Sequence, residues 1–208
     1  IPMFDTDTGV SSLLLKEVPY KQVAYIRVQS VQPGGLSAHL KECVGFCRMC
    51  GAERILAQGH AELESYPLHC AVLTMAGPVS RREPPAMVFP VTEQTVSRWR
   101  GICNERMRNV PCAATQTSKE EADILKGDAY FVHRNGELLG IGWIRDGELL
   151  AVAAVKPGAG ETVMHTMMSL IEGSDMTLEV ADRNSKAIDL YKKIGFVPTG
   201  IASEWYFL

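Results

Sequence analysis

Three sets of residues in this chain have types and spacings that could do chemistry. Asn184, Ala187 and Tyr191 lie three and four apart, so a carboxamide, a small residue and a phenol project from one face of a helix. Gly158 and Gly160 follow Pro157 in the run from Lys156 to Thr162. A glycine turn that opens into a helix presents backbone N–H groups and the positive end of the helix dipole, which makes an anion site. Cys43, Cys47 and Cys50 have the Cys-x-x-x-Cys-x-x-Cys spacing with which three thiolates hold an iron–sulfur cluster. His39, His60, His69 and Cys70 add donors of the kind zinc takes.

Each set needs an element to position it. Ala187, Leu190, Tyr191 and Ile194 recur on one helical face, with Asn184 and Ser185 as caps and Gly195 as a left-handed stop. Lys192 and Lys193 suit the last turn, and Asp189 to Lys193 is an i,i+4 pair. The strand 176–181 feeds this helix. Upstream, Asn135–Gly136 and Asp146–Gly147 are type I′ hairpin dipeptides, which predict three antiparallel strands across residues 129–155. The third, 149–155, is apolar without alternation, as expected of a central strand covered on both faces. It runs through the glycine turn into a helix with Met164, Met167, Met168 and Ile171 on one face and Gly173 at its end. Before the meander come a strand near 88–92, a helix over 93–109 bearing Val96, Trp99, Ile102, Cys103 and Met107 at near-helical spacing, and a short helical turn at 119–127.

The first 80 residues predict a small α/β domain, separated from the rest by the Pro-rich, charged stretch 77–87. It comprises a strand over 21–31, a break at Pro33–Gly35, a helix ending at Gly51, and strands near 53–59 and 69–77. On that helix Cys43, Cys47 and Cys50 fall in register with Leu36 and Leu40, which reads as a buried apolar stripe. Consecutive helical turns space sulfurs poorly for one cluster, and a radical-SAM core needs a longer chain, so no metal is expected.

A chain of 208 residues with 46% apolar residues can bury a real core. A net charge of −3 argues against a nucleic-acid partner. No apolar run reaches the roughly 18 residues of a membrane helix, so no membrane is expected. The start lacks a basic and an apolar region of the secretory kind and lacks Met, which suggests a trimmed beginning. Six cysteines are too few for a disulfide scaffold, so reduced thiols in a cytoplasmic protein are the expectation.

The pattern N-x-x-A-x-x-x-Y-x-K-x-G-F from Asn184 to Phe196, after a strand, resembles the closing motif of the GNAT N-acetyltransferase superfamily. Meander, glycine turn, helix, strand, helix and a final hairpin over 197–208 follow the order of that fold, so the resemblance covers about residues 86–208. The fold class expected is therefore α/β with a mixed sheet, a GNAT-like acyltransferase fold preceded by the small N-terminal domain. The helix ending at Gly51–Ala52 before a strand echoes the Tyr191–Phe196 ending and admits a degenerate half-copy.

The resemblance implies acetyl-CoA as co-substrate and a primary amine of a small molecule or peptide as acceptor. Gly158, Ala159, Gly160, Glu161 and Thr162 would cradle the pyrophosphate. Ala153, Ala154 and Val155 would pair with the pantetheine arm, and Asn184, with Ala187 beside it, would hold that arm. Tyr191, at its ordinary pKa near 10, would protonate the departing thiolate; otherwise it is a core aromatic. Glu148 is the first candidate for general base, Glu179 the second, and an ordered water the third. Arg98, Arg100, Arg106 and Arg108 read as a solvated face, or as part of acceptor recognition, since the family's first helices often shape that pocket. Trp143, Trp205 and Tyr206 are expected to pack the sheet. The loop departs from the family in one respect: Pro157 meets Gly158 directly, without the usual extra residues and their Arg or Gln. That implies a thinner grip on coenzyme A and leaves a non-catalytic acyl-CoA-binding or regulatory module as the alternative.

Overall fold

The computed structural model of the protein describes residues 3–79 and 83–208; Ile1, Pro2 and, within the Pro-rich stretch, Ser80, Arg81 and Arg82 lie outside them. The chain forms two compact units, Ile1–Ala71 with Ser203–Leu208, and Val72–Ala202. The division falls inside a strand, Leu68–Pro78, because the apolar run beginning at His69 continues as one extended segment.

In the first unit a hairpin of β1 (Met3–Thr6) and β2 (Gly9–Leu14) precedes the predicted elements. A short helix α1 (Val18–Lys21) leads to β3 (Val23–Val31), helix α2 (Leu36–Met49) and β4 (Arg54–Gln58). β2 pairs antiparallel with β3, and β3 parallel with β4. After β5 (Leu68–Pro78) begins in this unit, the end of the last strand, β11 (Val197–Phe207), returns to it and pairs antiparallel with β4 at Tyr206 and Phe207. Residues 197–207 therefore form one strand, not the predicted hairpin. Leu13, Ile26, Leu40, Cys43, Cys47 and Ile55 pack the core.

Cys43 and Cys47 are fully buried on α2, and burial pushes their thiols up to about 11 and about 12, so both stay protonated at neutral pH. Cys50 departs from the expected stripe. It lies past the last helical residue, exposed, because the chain turns there through Gly51 at φ +92°. His39, fully buried, has Nδ1 2.7 Å from Thr6 Oγ1 and Nε2 2.6 Å from Ser11 Oγ. Its two ring nitrogens thus pin the β1–β2 hairpin to α2. Among the described residues no group of three or more His, Cys, Asp or Glu is placed to hold a metal ion, and no helix is long and apolar enough to cross a membrane.

The second unit begins within β5 and continues through β6 (Met87–Pro90), α3 (Val96–Met107), a 3-10 turn (Ser118–Glu120) and α4 (Glu121–Lys126). The meander is β7 (Asp128–Arg134), β8 (Glu137–Arg145) and β9 (Glu148–Ala154), followed by α5 (Gly160–Met168), β10 (Asp175–Ala181) and α6 (Ser185–Lys193). Strand order is β5-β10-β9-β8-β7-β6, mixed because β10 runs parallel to β9 and the other neighbours are antiparallel. Asn135 and Asp146 have φ of 53° and 50°, each before a positive-φ glycine, as the type I′ dipeptides require. Helix α5 stops at Met168 rather than near Gly173.

One face of this sheet packs α5 and Tyr191 of α6, with Met164, Met167 and Met176 at the centre. The other packs α3 and α4, where Trp99 stands edge-on to Trp143 at 6.2 Å. β9 touches both clusters, which is why its sequence does not alternate, yet most of it is only half-buried. The reason is local. Trp143 pairs with Ala151 and the next residue, Ile144, with Leu149, so Leu150 is an extra residue on β9. Such a bulge bends a strand and interrupts its ladder.

Candidate active site

β9 and β10 pair only at Glu148–Thr177 and Leu149–Leu178. Beyond the bulge the two parallel strands diverge, and a cleft of ≈ 340 Å³ opens between Leu149–Val152 of β9 and Leu178–Ala181 of β10. Helix α6 contributes Asn184, Ala187 and Tyr191 to one side. The end of α3 and the loop after it close another, with Cys103, Met107 and Val110–Ala114. That loop is tied back to α3: the Asn104 carboxamide donates to the Gln116 carbonyl and accepts from the Gln116 N–H, both at 2.8 Å.

The α6 residues are held by the way that helix ends. Gly195, at φ +102°, follows the last turn. The Phe196 N–H donates to the Tyr191 carbonyl at 2.9 Å and the Gly195 N–H to the Lys192 carbonyl at 3.1 Å. This is a Schellman motif, whose usual apolar contact between the third-last helical residue and the second residue beyond the cap is here Tyr191 on Phe196, ring centroids 6.0 Å apart. Phe196 in turn lies flat on β5, where a Cβ added at Gly77 would stand 2.5 Å from its ring. Tyr191 is 7% exposed, part of the core yet on the cleft wall, and desolvation pushes its phenol up to about 12 rather than leaving it near 10.

Asn184 does not cap α6 with its side chain; its carbonyl takes the Ala187 and Ile188 N–H groups instead. The carboxamide is thereby left for the cleft it lines. Glu179 also lines the cleft, on an exposed position of β10. Glu148, the first candidate base, sits where β9 and β10 still pair and is not on the cleft wall.

The glycine turn has Gly158 at φ +78° with open space around it, and α5 starts at Gly160 with no side chain capping its first N–H groups. Glu161 in that first turn is bound by Lys193 of α6 at 2.5 Å, a hydrogen bond and charge that lower the Glu161 pKa; Lys193 therefore does not serve the expected pair with Asp189. Lys156 is paired with Glu137. Ala153, Ala154 and Val155 lie past the cleft-lining stretch. Val155 has its backbone in use, donating to the Leu139 carbonyl at 2.8 Å and accepting from Arg106 Nη2 at 2.9 Å. Arg106 is thus not simply a solvated residue.

The structure brings together Asn184, Ala187, Tyr191 and Glu179. It leaves Glu148, Ala153 to Val155 and Gly158 to Thr162 outside the cleft lining. Cleft-lining residues that sequence reasoning did not single out for a site include Leu149–Val152 and the loop after α3. The broken alternation of the third strand signalled the first; nothing in the sequence signalled the loop, whose Cys112 adopts φ 60°.

No family model matches the chain, and no curated protein matches it. Solved structures do. A GCN5-related N-acetyltransferase from Kribbella flavida is 16% identical with a TM-score of 0.56, over 99% of this chain and 89% of that one. One from Sphaerobacter thermophilus is 14% identical with a TM-score of 0.58, over 95% and 76%. A protein of unknown function from Staphylococcus epidermidis is 9% identical with a TM-score of 0.60, over 98% and 91%. The likeness is one of fold, and the fold is the mixed α/β fold of the GNAT acetyltransferases.

Proposed function

From the GNAT fold, we propose that the protein is an acetyl-CoA-dependent N-acetyltransferase acting on the primary amine of a small molecule or peptide. The observation that carries this reading is the cleft between two diverging parallel strands, with the Asn184 carboxamide and the Tyr191 phenol on one wall. Acetyl-CoA would supply the activated acyl group as its thioester. Asn184 would hold the pantetheine arm, and the uncapped N–H groups from Gly160 to Thr162 would receive the pyrophosphate. A backbone N–H at Leu150, where the β8–β9 register shifts beside the cleft, would serve as the donor for the thioester carbonyl. Glu179, which lines the cleft where Glu148 does not, would take the amine proton, directly or through one water.

Tyr191 has a narrower role than the sequence implied. Burial holds the phenol at about 12, above its ordinary value near 10, which makes it a weaker acid toward a thiolate. Its contribution is a hydrogen bond to the departing sulfur. The test is free-thiol release from acetyl-CoA with a panel of amines. Tyr191→Phe is expected to lower kcat about ten- to a thousandfold, and the wild-type rate is not expected to fall on the alkaline side before about pH 11, since the phenol stays protonated that far. Turnover untouched by Tyr191→Phe would remove Tyr191 from the chemistry.

A second reading, an acyl-CoA-binding module without turnover, is favoured by the glycine turn: Pro157 abuts Gly158, Val155 has its backbone engaged, and Lys156 and Lys193 are each paired with a carboxylate. Binding of acetyl-CoA with no thiol release for any amine would select it.

A further inference from the structure

The cleft carries a single formal charge. Among the described residues that line it, Glu179 is the one carboxylate, and no Lys, Arg or His is present. The α3 end and the loop after it contribute mainly hydrocarbon and sulfur, Cys103, Met107, Val110, Pro111 and Ala113, with Gln116 as their one polar side chain, and β5 adds Val72. Cys103 is 2% exposed, and burial pushes its thiol up to about 11, so it adds no charge. The wall is also preformed. Asn104 clamps Gln116 at the far end of the loop, and Thr117 and Glu120 close a capping box immediately beyond it.

These features restrict what can enter beside the acyl donor. An acceptor bearing a phosphate or carboxylate would bring an anion against a lining that offers no cation among the described residues, with Glu179 to repel it. A polyamine would bring two ammonium groups to one carboxylate, leaving the second against Met107 and Val110. An ammonium on a hydrocarbon body leaves neither charge unpaired, and its body gains by leaving water.

Resting on the acyl-transfer reading, we propose that the acceptor is a primary amine on an apolar body with no second charge, its ammonium at Glu179 and its body on the Cys103–Met107–Val110 wall. Three amines of equal length test this: hexylamine, 1,6-diaminohexane and 6-aminohexanoate, titrated calorimetrically into the protein with and without coenzyme A. Hexylamine is expected to bind at least tenfold more tightly than either of the other two. It should also bind at least tenfold more tightly than propylamine, since each buried methylene is worth about fourfold. Met107→Asp should raise the affinity for the diamine and Met107→Lys that for 6-aminohexanoate, both with hexylamine weakened and the melting temperature within a few degrees of wild type.

Equal or inverted affinities, no amine binding in either state, or Met107 variants that leave the order unchanged would overturn the proposal. Thiol release separates it from the reading beneath it. Tight hexylamine binding without thiol release retains the apolar-amine site and removes acetyl transfer. Thiol release that prefers the diamine or the amino acid does the reverse.

Discussion

Replacing a carboxylate by its amide at three positions distinguishes what each one does. Glu179 stands on the cleft wall, so Glu179→Gln is expected to lower kcat/KM for the amine by about a hundredfold. Glu148 stands at the closed end of the strand pair, and Glu148→Gln should stay within about twofold of wild type on general-base grounds. The opposite ranking in steady-state kinetics would return Glu148 to the site. Glu161 and Lys193 form an exposed pair, which contributes little to stability. On the proposed reading its effect would be on the donor: Glu161 would add a negative charge beside an anion received by the first turn of α5, and it occupies Lys193. Glu161→Gln should therefore lower the KM for acetyl-CoA about two- to fivefold at low salt, the gain vanishing near 1 M salt as screening sets in. A KM that does not move would place the donor's phosphates elsewhere.

At the scale of elements, the site depends on how α6 ends. The Schellman turn through Gly195 ties Tyr191 to Phe196, and Phe196 needs the bare backbone of Gly77 beneath it. Gly77→Ala forces the ring off β5. The expected cost is about 1–3 kcal/mol in urea unfolding, together with a lower kcat and a little-changed KM for acetyl-CoA as the phenol shifts. Lost stability with unaltered kcat would show that Tyr191 is held without Phe196. The helix and its glycine stop were legible in the sequence because capping and periodicity are local. The dependence on Gly77 was not, since residues 77 and 196 meet only through tertiary packing.

At the scale of the whole molecule, the first unit carries its own pH sensitivity. Desolvation lowers the pKa of buried His39, with nearby Glu42 opposing the shift. Thr6, Ser11 and Cys43 are its hydrogen-bonding neighbours. A lowered folded pKa means that the unfolded chain binds the extra proton first. The stabilising contribution is therefore complete above the unfolded value near 6.5 and declines as pH falls below it toward the folded value, by at most about 1.4 kcal/mol per pH unit for one proton. Glu137 and Glu161, whose pKa values are also lowered, act in a separate window below about 4.5. Unfolding free energy measured between pH 6.5 and 5 should thus fall with pH in the wild type and lose that slope in His39→Gln, a variant expected to be less stable throughout. An unchanged slope would assign the dependence to other groups.

By itself the sequence determined what is local: the helix from Ser185 with its stop at Gly195, the two type I′ turns, the glycine turn before α5, and the pairing of a carboxamide with a phenol on one helical face. Only the tertiary structure decided that Leu150 bulges and parts β9 from β10, that Glu179 rather than Glu148 reaches the opening, and that the loop after α3 supplies its apolar wall. The reason is physical. Dihedral preference and side-chain periodicity act within a few residues, whereas a cleft is made where strands distant in sequence stop pairing, and which side chains line it is set by register.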